Sequence, residues 1–83
     1  MTLLYFAWVR QKVGRSEETF DLPPNIHTVA QLAEYLKSRG GAFEDVFSNP
    51  SRLRVAVNQD HAAFDAAVSN SDEVAFFPPV TGG

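Results

Sequence analysis

The feature that most constrains the fold is a single amphipathic helix signature near the middle of the chain. Thr28 is a good N-cap, because its hydroxyl can accept from the backbone N–H of Gln31 while the Gln31 side chain reaches back. Val29, Leu32, Ala33 and Leu36 recur at i, i+3, i+4 and i+7, which makes one buried stripe. Gln31, Glu34, Lys37 and Ser38 fall on the water side. Gly40 and Gly41 follow and supply the left-handed residue that ends such helices. A helix with one apolar stripe needs one surface to bury it against, and the rest of the chain must provide that surface.

The flanking segments read as strands. Thr2 to Arg10 is apolar and aromatic, with Leu3, Tyr5, Ala7 and Val9 alternating against Leu4, Phe6 and Trp8. Gln11 to Ser16, around Gly14, reads as a hairpin loop, and Glu17 to Leu22 as a second strand stopped by Pro23 and Pro24. Ala42 to Pro50 is expected to be irregular or briefly helical. Leu53, Val55 and Val57 alternate with Arg52, Arg54 and Ala56, as in a half-buried strand. Asn58-Gln59-Asp60 reads as a turn, His61 to Phe64 as a short strand, Asn70-Ser71-Asp72 as another turn, and Glu73 to Phe77 as the last strand. Hairpin, crossing helix and further strands predict an α+β fold of the β-grasp, ubiquitin-like kind. One main helix crosses a mixed sheet, and the chain ends in an extended Gly-Gly tail.

The 83 residues fit one domain, 1–83, with 77–83 as its tail. The chain has no cysteine, which excludes a disulfide scaffold, a cysteine-ligated metal site and a cysteine nucleophile. Its net charge of −3 and scattered basic residues argue against nucleic acid as a partner, since phosphate neutralisation supplies most of that affinity. No apolar run approaches the roughly 20 residues of a membrane span. The first residues lack the basic start and small-residue cleavage site of a secretory leader. A cytoplasmic protein without a membrane or metal role is therefore expected.

In a one-helix sheet the face turned away from the helix is normally polar. Here the outward set of the first strand, Leu4, Phe6 and Trp8, would share that face with Phe77 of the last strand. Neighbouring strands would make these a contiguous apolar patch, which marks a partner site.

The last six residues, Pro78-Pro79-Val80-Thr81-Gly82-Gly83, carry the chemistry. Two prolines hold the chain extended, because each fixes φ and restricts the residue before it. Two glycines then make a thin tip that can enter a narrow channel where a Cβ would clash. Glycine averages about 7% of residues, so a chance terminal pair has odds of about one in two hundred. A terminal carboxylate has a pKa of about 3.3–3.7 and is unreactive until activated, for instance as a mixed anhydride with AMP. Replacing one oxygen by sulfur would give a thiocarboxylate, a sulfur nucleophile that needs no cysteine.

These residues resemble a known family, the small subunit of molybdopterin synthase. The resemblance rests on Tyr5-Phe6-Ala7 with Val9-Arg10 and Gly14, on Ala56-Val57-Asn58-Gln59, and above all on Asp72 to Gly83, DEVAFFPPVTGG. It covers essentially the whole chain. It implies a sulfur carrier of molybdenum-cofactor synthesis that holds no cofactor itself. An ATP-using adenylyltransferase, similar to ubiquitin-activating enzymes, would adenylate Gly83, and a sulfur donor would convert it to the thiocarboxylate. The tail would then enter the large subunit of the synthase, within a heterotetramer, and give sulfur to a cyclic pyranopterin precursor. The pocket for that precursor belongs to the large subunit. By position, Gly82 and Gly83 are the reactive tip, Pro78, Pro79, Val80 and Thr81 the threading segment, and Phe6 and Phe77 interface residues. Trp8 and His61 depart from the usual pattern and bear on partner fit. Thiamine and tRNA-thiolation carriers share this fold, and a ubiquitin-like interaction module or modifier is the reading from another class.

Of the remaining groups, His27 and His61 lie in no motif and read as surface residues. Glu17-Glu18 and Asp72-Glu73 read as solvated. The Arg52/Arg54 pair reads as an exposed strand face rather than a phosphate clamp, one that could help hold an acidic activating enzyme.

Overall fold

A computed structural model describes residues 1–79. The elements run β1 (Thr2–Tyr5), α1 (Ala7–Val13), β2 (Glu17–Thr19), α2 (Val29–Lys37), α3 (Gly41–Phe47), a 3-10 turn (Pro50–Arg52), β3 (Arg54–Val57), β4 (Asp60–Ala62) and β5 (Glu73–Phe77). The five strands form one mixed sheet in the order β2-β1-β5-β3-β4. β1 and β5 are parallel, with Leu3 opposite Val74 and Tyr5 opposite Phe76, and the other pairs are antiparallel. This is the β-grasp arrangement, and it makes β5 the central strand.

The N-terminal cap and the buried stripe of α2 form as the sequence predicts, but the expected left-handed glycine stop does not. The helix ends on Ser38 in right-handed conformation, and Gly40, at φ 77° and ψ −174°, instead precedes α3 as its N-cap. Gln31 donates its N–H to Thr28 Oγ1 at 3.2 Å, and the Gln31 side chain accepts from the Thr28 N–H, which completes the capping box. Val29, Leu32, Ala33 and Leu36 are buried. They meet Leu3, Tyr5, Val55, Val74 and Phe76 from the sheet in one core. Val46 and Phe47 of α3 extend it, with the Phe47 ring edge-on to Phe76 at 4.9 Å. The segment expected to be irregular or briefly helical is thus a helix that covers part of the sheet.

The sequence readings of the N-terminal segment and of two strand lengths are corrected. The first strand stops at Tyr5 rather than Arg10, and Ala7 to Val13 is helix. Phe6 is still extended and its N–H donates to Phe76 O at 3.2 Å, but Ala7 turns with φ of 53°. The helix ends on Gly14, at φ 79°, whose N–H returns to Arg10 O. Gly14 is therefore a left-handed helix stop, with Arg10 and Lys12 in the last turn, rather than a hairpin residue. Val9 fills the core from α1. The second strand is also shorter than Glu17 to Leu22, and the short strand after the Asn58-Gln59 turn is Asp60–Ala62.

Candidate functional site: the uncovered sheet face and the root of the tail

The pleat sends alternate residues of β5 to opposite faces. Val74 and Phe76 point into the core, so Glu73, Ala75 and Phe77 lie on the other side. Cross-strand pairing then assembles that face. Ala75 stands between Leu4 and Ala56, Ala56 is opposite His61, and Phe77 is opposite Arg54. The two alanines are register partners, and their short side chains leave an open concavity of about 480 Å³. Leu4, Phe6, His61 and Phe77 stand around it, with Gln59 and Glu73 also at its border. The His61 ring meets Phe77 edge-on at 5.5 Å and 81°. Phe6 is the one large apolar side chain left exposed among the described residues, at 46%. No described element covers this face.

Phe6 and Phe77 thus share one apolar face, as the sequence predicts. Trp8 does not join them. It rides on α1, packs against the edge of the core, and has the Arg52 guanidinium 4.8 Å over its ring. The helical turn that starts at Ala7 carries it out of the strand's alternation, so the expected Leu4–Phe6–Trp8 row ends at Phe6. Ala56 and Ala75 belong to the face although the sequence reading did not single them out. Their alternation against Val55, Val74 and Phe76 was the available signal.

The tail leaves from the middle of this arrangement. β5 is flanked by β1 and β3, and Phe77 passes directly to Pro78 and Pro79, both half-buried. Val80, Thr81, Gly82 and Gly83 lie outside the described residues.

Two polar networks hold the sheet, one near each end of β5. Tyr5 Oη donates to Glu18 Oε2 at 2.7 Å, Arg39 Nη1 donates to the same oxygen at 2.9 Å, and Arg15 Nη1 lies 3.8 Å away. The Arg39 guanidinium also lies over Phe43, Phe20 and Tyr35 at 4.9 to 5.7 Å. Burial opposes ionisation of Glu18, but the Arg39 and Tyr5 hydrogen bonds and both guanidinium charges outweigh it. They hold the carboxyl below its ordinary range. Burial, then the Glu18 hydrogen bond, pushes the Tyr5 phenol well up. The sequence reading of Glu18 as solvated is therefore corrected, since its side chain is only 11% exposed. The cluster clamps β1 to β2 one residue before Phe6. At the other end of β5, Asp72 accepts from Asn58 Nδ2 at 3.0 Å and from the Ser69 N–H at 2.8 Å, while Asn58 Oδ1 accepts from the Glu73 N–H. The Asn58 hydrogen bond leads in holding the Asp72 carboxyl low. Both networks serve position. Among the described residues no cluster of His, Asp or Glu could hold a metal ion, and no helix is long and apolar enough to cross a membrane.

The model of the ThiS family matches residues 3–83, nearly the whole chain. The chain belongs to the ThiS family. It is similar to the molybdopterin synthase sulfur carrier subunit of Escherichia coli, at 39% identity over 83 residues covering 98% of this chain and 96% of that one. It is likewise similar to the molybdopterin synthase sulfur carrier subunit of Haemophilus influenzae, at 35% identity covering 100% and 99%. Among solved structures it resembles small archaeal modifier protein 1 (SAMP1) of Haloferax volcanii, with a TM-score of 0.76 and 28% identity over 100% of this chain and 98% of that one. The ubiquitin-like sulfur-carrier family expected from the DEVAFFPPVTGG segment is thus the family found.

Proposed function

We propose that these 83 residues act as one cytoplasmic sulfur-carrier domain for molybdenum-cofactor synthesis, with the carboxylate of Gly83 as the group that is charged. The observation that carries this reading is the placement of the tail. The central strand ends in Phe77 beside an uncovered apolar face and runs directly into two prolines, so docking of the face and delivery of the tail are one event. The family and the names of its relatives support the same reading.

In this cycle the Gly83 carboxylate attacks the α-phosphorus of ATP on an adenylyltransferase, and pyrophosphate leaves. Hydrosulfide delivered by a donor then attacks the acyl carbon and AMP leaves, which yields the thiocarboxylate with no change of oxidation state. The chain holds no cofactor, and ATP is consumed by the activating enzyme. The large synthase subunit takes the face bearing Phe6, Ala56, Ala75 and Phe77 and admits Pro78 to Gly83. The lack of side chains on Gly82 and Gly83 lets the acyl carbon approach closely bound groups.

The test is intact-protein mass spectrometry after incubation with ATP, a family-type activating enzyme and a sulfur source, with fragmentation to locate the change. An oxygen-to-sulfur exchange at Gly83 is expected, and an unmodified Gly83 beside a carrier that charges in parallel rejects the reading. Deleting Gly83 should abolish sulfur transfer while the thermal melt stays at the wild-type position. A second reading, protein modification, is favoured by the likeness to SAMP1. It predicts isopeptide bonds from Gly83 to lysines of other proteins, recovered by proteomics.

A further inference from the structure

The seven basic side chains divide by what faces them. Arg15 and Arg39 converge on Glu18. Arg10, Lys12 and Lys37 lie in the last turns of α1 and α2, where a cation meets the partial negative charge of a helix C-terminus. Arg52 and Arg54 have neither explanation. They are exposed, and among the described residues neither forms an ion pair, although the chain carries ten Asp and Glu side chains. The three-residue 3-10 turn that holds Arg52 has little dipole to offer.

Their position is specific. Arg54 is the register partner of Phe77, so it stands on the uncovered face beside the last residue before the prolines. Through one of the five N–H groups of the guanidinium fork, its Nη1 donates to Leu53 O at 3.0 Å, and no other hydrogen bond of that fork occurs among the described residues. Arg52 lies two residues earlier and rests on Trp8 of α1. Stacking on an indole fixes a guanidinium plane while its edges stay open to acceptors. Both cations are therefore preordered next to the point where the tail leaves. In a chain of net charge −3, this places two cations without an acidic partner among the described residues beside the root of the tail.

We propose that Arg52 and Arg54 are a docking pair for carboxylates on the large subunit, set at the mouth of the channel that admits the tail. This rests on the sulfur-carrier reading above. The arginines steer encounter and set orientation, and the apolar face then closes. Charge pairs of this kind act chiefly on the association rate and on its salt dependence. Trp8, absent from the apolar face, has its use here as the platform for Arg52.

The experiment measures association and dissociation of the full chain with the large synthase subunit by stopped-flow fluorescence across ionic strength. The variants are R52Q/R54Q, R52E/R54E, R52K/R54K and, as a control on the face, Phe77→Ala. Thermal melting should find the arginine variants as stable as the wild type, because neither guanidinium is buried. The double Gln variant is expected to associate about tenfold more slowly at low salt, with a flatter salt dependence and a little-changed dissociation rate. The double Glu variant should be slower still, and the double Lys variant should keep most of the rate because the charge remains. Gln and Glu variants with the wild-type rate and salt slope overturn the proposal, as does faster association of the Glu variant. Slow arginine variants beside an unaffected Phe77→Ala would reject the docking face and leave the arginine pair standing. A weakened Phe77→Ala beside unaffected arginine variants would do the reverse. A wild-type chain that does not bind the subunit rejects both.

Discussion

The two faces of the sheet are built from alternate residues of the same strands, and both carry apolar side chains. On the inner face Leu3, Tyr5, Val55, Val74 and Phe76 are at most 1% exposed under the helices. On the outer face Leu4, Ala75 and Phe77 are half-buried and Phe6 is exposed, with two alanines where the inner face has large side chains. Apolar character alone therefore does not define the core. What separates the faces is cover: the inner one is closed within the chain, and the outer one keeps an open concavity beside the tail.

Adjacent phenylalanines put this contrast to its most direct test. Phe76→Ala should remove about 3–5 kcal/mol of stability, because it empties a packed site between Phe47, Tyr5 and Val55. Urea unfolding measures this, and a loss under about 1 kcal/mol would show a loosely packed inner face. Phe77→Ala should instead weaken binding of the large subunit by about 2 kcal/mol or more, read by calorimetry. Its stability should change by less than about 1 kcal/mol. If Phe77→Ala unfolds the chain as readily as Phe76→Ala, the two faces are energetically alike and the outer one is not held for a partner.

Smaller effects test the supports of the inner face. Glu18→Gln should cost about 1.5 kcal/mol at neutral pH, since it replaces a charged acceptor shared by Tyr5 and Arg39. The folded Glu18 carboxyl is held low, so its contribution is fully present above the unfolded value of about 4.3 and is lost as pH falls through the lower folded value. The stability of Glu18→Gln should accordingly fall less steeply than the wild type's in that acid range, by denaturant melts at several pH values. Thr28→Ala should cost about 1 kcal/mol through the lost cap. It should leave large-subunit affinity unchanged, because α2 lies on the inner side.

Local chemistry made much of this visible in the residues. The capping box, the Val29–Leu36 stripe, the alternation of Leu53 to Val57 and the EVAFF strand each state their structure within a few positions. The Phe6 and Phe77 face was legible for the same reason, since alternation in two strands known to neighbour each other in this fold predicts a shared side. The run from Thr2 to Arg10 misled because apolar residues without interruption fit a strand or a buried helix equally. The turn at Ala7 is a non-glycine residue at φ 53°, which no local signal announces. Gly14 after Arg10 and Lys12 was the helix-stop signal within reach.

The sequence by itself determined α2 and the order of the strands around it, the inward and outward sets of β5, the family, and a tail of two prolines and two glycines. Each follows from neighbours along the chain: periodicity, capping, and the backbone limits of proline and glycine. Only the tertiary structure decided that Glu18 is shared by Tyr5, Arg39 and Arg15, that Ala56 meets Ala75 beneath Phe6 and Phe77, and that Trp8 leaves the face to carry Arg52. Apart from the Arg15–Glu18 pair, three residues apart, these contacts join residues from 13 to 44 positions apart, and their partners are chosen by strand register and helix packing, which no local pattern encodes.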